Sequence, residues 1–501
     1  MPDKLPVLVP AGAQLLLDKL NANGYEAYVV GGCVRDSILG LEPHDWDICT
    51  SATPEEVKRC FDGYRVLETG IEHGTVTVFV TRETGYEITT FRIDGEYSDN
   101  RRPDSVEFVS SLLEDLSRRD FKMNAMAYSM KSGLIDPFGG ITDLAIGIIS
   151  CVGNPDERFR EDALRILRAL RFASVYGLTI DAETEKSIHN NAGLLKNISA
   201  ERINAELCRL LCGENVLYVL LSFSDVFSTI IPQLGPCVGF DQNSRFHQYN
   251  VYDHIAHAVA NYEGYDVIVK MALLLHDIGK PLCYTEDERG GHFYDHAIPS
   301  YALSQDVLSE LRFDKKSQKQ IAELVRYHDT IIDPAKRSVR KWLNRLGTEQ
   351  FFRLMDLRIA DILAHKEGTQ QNRLDKYERV RAAALEILAQ NQCFTVKDLA
   401  ITGKDVMNDG IPQGPLVGAA LHVALAAVIA EKVSNEKQAL LDLIHQYMGW
   451  VRRAIDVPPK ETEPFCMFCP CYCDAAYSDS CYSCEEARNG FLGDENSLIT
   501  N

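Results

Sequence analysis

The chain has 501 residues, of which 46% are apolar, 25% charged and 9% aromatic, and its formal charge is -20. That is room for two to four globular domains of roughly 100–200 residues each. It excludes a nucleic-acid binder that works through bulk charge, since phosphate neutralisation needs Lys and Arg, and leaves only a locally basic groove.

The first strong element in chain order is Glu26–Val30, a short β-rich run ending at Gly31-Gly32. A helix over Val34–Leu39 follows. Trp46–Cys49, Thr75–Val80 and Glu87–Phe91 read as further strands. Thr53–Phe61, beginning Thr-Pro-Glu-Glu, reads as an N-capped helix. The turn DPFGG (Asp136–Gly140) closes this mixed region. From Glu161 to about Ile455 the periodicity is almost only helical, and no internal repeat interrupts it. Leu416–Ala430 is too short for the ~20 apolar residues of a membrane span and contains His422, so it reads as a buried helix. The N-terminus lacks the layout of a secretory signal. Nine of the fifteen cysteines are scattered over the first 456 residues without a repeated spacing, which suits a reducing compartment, and the cytoplasm is expected.

Two motifs carry chemistry in the mixed region. VVGGCVRD (Val29–Asp36) is a strand, a double-glycine turn and a helix start, a layout in which backbone N–H groups meet phosphate and Arg35 adds a positive charge. HDWDICT follows. In a strand, residues two apart face the same way, so Asp45 and Asp47 share one side while Trp46 and Ile48 take the other. Paired carboxylates repel unless a cation joins them, and Mg²⁺ takes oxygen ligands while keeping places for substrate phosphates. Metal-assisted nucleotidyl transfer is the predicted chemistry.

A second set is rich in arginine. DLSRRDFKMNAMAY holds Arg118, Arg119 and Asp120, and RFREDALRILRALRF holds Asp162, Arg165, Arg168 and Arg171. The last three recur every third residue and form one ridge of an amphipathic helix, with Leu164, Leu167 and Leu170 packing inward. Several arginines suit a triphosphate, and an Asp–Arg couple offers an acceptor and donors to a base edge.

In this order, GGCVRD, HDWD, FRIDGEYSDNRRPDSVEF, LSRRDFKMNAMAY, DPFGG, RFREDALRILRALRF and ISAERINAELCRLL resemble the class II CCA-adding tRNA nucleotidyltransferases. The resemblance runs without a gap in motif order from about Ala27 to Leu211, and more weakly to about residue 445. It implies an α+β fold: a polymerase-beta-like nucleotidyltransferase head with a mixed sheet over 1–150, then all-α parts. These are a neck (151–215), a body (216–390) and a tail (391–456), with an acidic, Cys-rich extension over 457–501. It also implies addition of C, C and A to tRNA 3′ ends from CTP and ATP. By the same resemblance Asp45 and Asp47 hold Mg²⁺, and Gly32, Arg35 and Arg119 meet the nucleotide, with Arg118 beside them. Asp162 and Arg165 read the base edge, Arg168 and Arg171 finish the pocket, and Glu201, Arg202 and Glu206 belong to a mainly structural neck motif. Arg101 and Arg102 fall in the loop tied to the switch from C to A. Poly(A) polymerases of the same class share most of these motifs, so A-only addition is the near alternative.

The body adds a different signal. His254, His276-Asp277, His296, His328 and Asp361 follow the H…HD…H…H…D order that resembles HD-type metal-dependent phosphohydrolases. Imidazole and carboxylate together suit a divalent transition metal and an activated water. In family terms such domains carry phosphatase or cyclic phosphodiesterase activity, and some copies are structural. In the extension, Cys466-x-x-Cys469 and Cys481-x-x-Cys484, with Cys471 and Cys473 between, are candidate Zn²⁺ ligands. Three functions of different class therefore compete: a tRNA-end polymerase, a hydrolase centred on His276-Asp277, and a nucleotide sensor without turnover. The intact Asp45/Asp47 and Asp162/Arg165 pairs favour the first.

Overall fold

The structure, a computed structural model, describes residues 7–95, 106–244, 246–288 and 290–455. Arg101, Arg102 and the cysteines from Cys466 to Cys484 lie outside the described residues.

The mixed region forms a seven-stranded sheet. Its strands are β1 (Ala27–Val30), β2 (Ile48–Thr50), β3 (Arg65–Gly70), β4 (Thr75–Phe79) and β5 (Gly85–Thr90), joined by β8 (Ala127–Ser129) and β9 (Gly133–Ile135). A separate ribbon pairs β6 (Arg92–Asp94) with β7 (Val106–Phe108). The order across the sheet is β3-β4-β5-β2-β1-β8-β9. Only β2 and β5 run parallel, with Ile48 opposite Ile88 and Cys49 opposite Thr89; the other neighbours are antiparallel. This is the mixed sheet that the sequence predicts.

Local chemistry explains the boundaries. The helix after β2 spans Pro54–Cys60 because Thr53 and Glu56 close a capping box on each other's backbone and Pro54 takes the first helical position. Strand β3 escapes a pattern reading, since most of its residues are exposed and show no clean alternation. On one side of the sheet, Val30, Cys49, Phe91, Leu116, Ala125 and Ala127 close a core.

By contacts the described residues divide into two compact units, those up to Asp329 with Ala360–Glu367, and Thr330–Ile359 with those from Gly368 to Ile455. The first holds the sheet, the helices Leu164–Tyr176 and Ala200–Leu211, and the histidine-bearing helices. The predicted body of 216–390 therefore straddles the division rather than forming one unit. Among the described residues the second unit is helical, with a core of Ile401, Val406, Ala424, Leu425, Leu440 and Ile444 among its most buried side chains. The apolar helix Pro415–Ile429 is part of that unit, and no described helix is long and apolar enough to cross a membrane.

Candidate active site

Asp45 and Asp47 are not inside a strand. The ladder of β2 begins at Ile48, one residue after Asp47, although the Val30 N–H still donates to the Asp47 carbonyl at 3.0 Å. Both carboxylates are exposed and Trp46 is half-buried, so the pair sits on extended chain at the strand's edge, open to a cation. Sequence reading missed the third member. Glu87 lies on β5 one residue before the Ile48–Ile88 partners, which puts it beside Asp47 across the parallel ladder. Desolvation by the surrounding protein, then the charges of Glu87 and Asp45, hold the Asp47 carboxyl above its ordinary range against the pull of Arg119. Crowded carboxylates of this kind are relieved by a divalent cation, and their hard oxygens fit Mg²⁺. The signal for Glu87 was an acid opening the predicted strand Glu87–Phe91.

The double-glycine turn serves an arginine. Gly31 has φ +80°, and a Cβ there would lie 2.9 Å from Nη1 of Arg119. Only glycine permits both the backbone conformation and that approach. Arg119 pairs with Asp115 at 3.4 Å, while its buried Nε has no hydrogen-bond partner. A triphosphate oxygen would satisfy that donor. Gly32 begins the helix Gly32–Ile38, two residues earlier than predicted.

Arg35 is held from several sides. It is 6% exposed, and three of its donors go to Asp36 Oδ1 (2.9 Å), Asn124 Oδ1 (2.6 Å) and the Tyr176 hydroxyl (2.7 Å), with Phe172 and Tyr176 stacked against the guanidinium. It ties the glycine turn to the helix Leu164–Tyr176.

The other arginines are each held by an acid, some at helical spacing and some from distant segments. Asp115, fully buried, accepts two hydrogen bonds from Arg118 (3.0 and 2.7 Å) as well as carrying Arg119. Asp120 accepts both forks of Arg168 at 2.8 and 2.6 Å and also bonds Asn124. Burial opposes its charge, but Arg168 and these bonds override it and keep the carboxyl far below its ordinary range. Arg171 meets Glu206 at 3.2 Å.

Asp162 sits in a break. The helix Pro155–Glu161 ends before it and Leu164–Tyr176 starts after it, because its carboxylate accepts from the Leu164 N–H (3.1 Å) instead of pointing away from a continuous helix. Its other oxygen takes Nη2 of Arg202 at 2.7 Å. Arg165 pairs with Glu161 and donates to the Arg118 carbonyl at 3.2 Å. Arg202 and Glu206 thus hold two of the site's own side chains, a closer role than a neck brace. Asp47, Arg119, Asp115, Arg118, Arg165 and Asp162 form a chain of neighbouring groups that joins the carboxylates before β2 to the pair predicted to read the base.

A second cluster lies among the body helices, away from this set. His254 is on the helix Val251–Asn261, His276-Asp277 follow Val267–Leu275, and His296 precedes Ala297–Glu310. His328 follows Lys315–Tyr327, and Asp361 is near the end of Thr348–Leu363. All six are buried. Three histidines place Nδ1 on a backbone carbonyl at 2.7–2.8 Å: His276 on Leu273, His296 on Phe293 and His328 on Val325. That fixes the proton on Nδ1 and turns the Nε2 lone pair inward, as in metal-bound imidazoles. The inward atoms then crowd: His296 and His328 Nε2 are 2.9 Å apart, and Asp277 lies 3.1 Å from both His276 and His296. Two lone pairs at that distance need a cation or a proton between them.

Three family models match the chain: "Poly A polymerase head domain" over 27–150, "Probable RNA and SrmB- binding site of polymerase A" over 177–236, and "tRNA nucleotidyltransferase domain 2 putative" over 298–444. The CCA-adding enzyme of Lactiplantibacillus plantarum is 34% identical over 438 residues, which is 86% of this chain and 94% of that one. That of Limosilactobacillus reuteri is 53% identical over 211 residues, 42% of this chain and 52% of its own. Among solved structures, the Bacillus stearothermophilus CCA-adding enzyme in complex with CTP superposes with a TM-score of 0.62 at 30% identity, covering 89% of this chain and all of that one. The Thermotoga maritima CCA-adding enzyme complexed with tRNA shares the fold at 21% identity and TM-score 0.57, over 86% of this chain and 94% of its own. The first match spans the carboxylate trio and Arg119, and the relatives extend through the neck arginines and both helical parts. On that breadth of likeness, the chain belongs to the CCA-adding enzymes.

Proposed function

We propose that this chain adds C, C and A to the 3′ end of tRNA from CTP and ATP, releasing pyrophosphate at each step. One observation supports the reading: the carboxylates Asp45, Asp47 and Glu87 lie within the field of Arg119, which shares Asp115 with Arg118, and the Arg118 carbonyl in turn accepts from Arg165 beside an Asp162 held by Arg202. A polymerase that copies a strand has no use for a protein-borne base edge. One that adds a fixed sequence needs it.

Asp45, Asp47 and Glu87 would hold Mg²⁺, which when bound lowers the pKa of the attacking hydroxyl and neutralises the departing pyrophosphate. The rest falls to side chains. Arg119, with its unmet Nε, orients the triphosphate so that the tRNA 3′-hydroxyl oxygen faces the α-phosphorus. Asp162 offers an acceptor and Arg165 donors to the base, and Arg202 keeps the acceptor in place. Arg168 is locked onto Asp120 and forms a rigid wall. The nine cysteines of the described part are free thiols, which supports a cytoplasmic setting. The test is a tRNA transcript lacking its last three nucleotides, incubated with CTP, ATP and Mg²⁺, then sequenced at its 3′ end. Addition of C, C and A that stops when the divalent ion is chelated is expected; a run of A alone would move the chain to poly(A) synthesis.

We also propose a second, hydrolytic centre in the body, in which His254, His276, Asp277, His296, His328 and Asp361 hold divalent transition-metal ions. The inward-facing imidazole nitrogens support it. Asp277→Asn should remove bound transition metal from the purified full chain, measured by inductively coupled plasma mass spectrometry after dialysis. Metal content equal to wild type would refute this centre.

A further inference from the structure

The body cluster contains more imidazole than the six residues of its sequence pattern. His365 follows Asp361 by four residues, is 6% exposed, and donates from Nδ1 to the Asp361 carbonyl at 2.9 Å. Ligand atoms of His254, Asp361 and His365 all lie within 4.8 Å of one another, as do those of His254, His276 and Asp277, and those of Asp277, His296 and His328. The three triads overlap in a row: the central one, His254–His276–Asp277, shares His254 with the His365 triad and Asp277 with the His296–His328 triad. A fourth ring joins the His365 end. His247 lies 4.4 Å from His365 and 5.1 Å from His254, ring to ring, and its buried Nδ1 has no hydrogen-bond partner.

His247 also lines a polar cavity of about 860 Å³, together with Gln242, Asn243, Tyr249, Glu286 and Gly290. One wall of that cavity is the hairpin Thr285–Asp287 and Gly290–His292, seated so closely that a Cβ at Gly290 or Gly291 would come within 2.4 Å of the carbonyl of Asn243 or Gln242. The same Gln242 accepts from Lys280 Nζ at 2.8 Å, and Lys280 Nζ is 2.6 Å from Asp277. The cavity is therefore built onto the cluster, at its His365 end through His247 and at its Asp277 end through Lys280. The segment that supplies these walls, residues 237–297, lies between the second and third stretches matched by family models.

We propose that His365, with Asp361 and His254, forms a further metal position where the buried cluster meets this cavity, and that an ion there takes up the phosphate group of a small phosphate ester. The inference rests on the body centre being a metal site. The geometry separates the two roles. All three triads are buried, and the His365 triad meets His247, which lines the cavity, through two of its members, His254 and His365. Because one imidazole Nε2 serves one ion, the His254 shared between triads makes the outer ion the more loosely held, as suits an exchangeable position for a substrate oxygen.

The test uses the full chain loaded with Co²⁺, whose visible absorption reports its ligands, and inorganic phosphate as the probe. In wild type, phosphate should shift the Co²⁺ spectrum. In His365→Ala and His365→Gln the outer ion should bind at least about 10-fold more weakly and the phosphate-induced shift should be lost. The Gln variant keeps a polar group of similar reach, so it separates loss of the ligand from loss of packing. Co²⁺ affinity and phosphate response unchanged in both variants would overturn the inference and leave the Asp277 centre standing. Absence of Co²⁺ binding in the wild-type chain would overturn both together.

Discussion

Asp45→Asn and Asp47→Asn should each slow nucleotide incorporation by ~10³-fold or more while CTP binding stays within a few-fold of wild type. Loss of a metal-holding carboxylate removes several kcal/mol of charge stabilisation from the transition state, and ~4 kcal/mol is ~10³-fold in rate. Binding should be spared because the cations proposed to meet the triphosphate, Arg119 and Arg118, are anchored by Asp115 and not by Asp45 or Asp47. Glu87→Gln should act in the same direction with a smaller effect, since Glu87 joins the pair from the adjacent strand. Single-turnover incorporation of labelled CTP, set beside CTP affinity measured by calorimetry, separates the two quantities. Near-normal incorporation in either aspartate variant would remove the pair from the chemistry. A parallel collapse of CTP affinity would instead mean that the pair acts in binding.

The second large effect concerns choice of base. Asp162→Ala or Arg165→Ala should cost ~10–100-fold in the preference for CTP over UTP, because one good two-pronged base contact is worth about 1–3 kcal/mol of discrimination. Arg202→Ala should shift the same ratio less, since Arg202 holds Asp162 at 2.7 Å without being required for the carboxylate to exist. The readout is the ratio of kcat/KM for the two triphosphates on a transcript that lacks its last three nucleotides. Loss of rate without any change in that ratio would make Asp162 a purely structural cap of the Leu164 N–H.

What the sequence revealed follows from the range of each interaction. The glycine turn, the Asp-x-Asp pair and the capped helix at Thr53 are local, and each is set by residues a few places apart. The ordered histidines also converge as expected, because every one sits at or beside a helix end. Asp115 and Glu161 partner arginines at helical spacing, but two other acids were not legible as partners. Asp120 meets Arg168 across 48 positions and Asp162 meets Arg202 across 40, and no spacing rule connects residues on different helices. Arg35 adds long-range links of the same kind. Its place after the glycines suits a phosphate contact, and Asn124 and Tyr176 from distant segments also engage two of its donors. Glu87 needed the parallel pairing of β2 with β5, which alternation within one strand does not disclose. His365 and His247 fall outside the H…HD…H…H…D order, so only the packing of helices brings them in.

The most direct measurement offers CTP, ATP, UTP and GTP singly to three tRNA transcripts, ending at the position before the first C, at the first C and at the second C. The account predicts C on the first, C on the second, A on the third, and nothing further on a complete end. Addition of A to the first transcript, or continued growth past the terminal A, would contradict it.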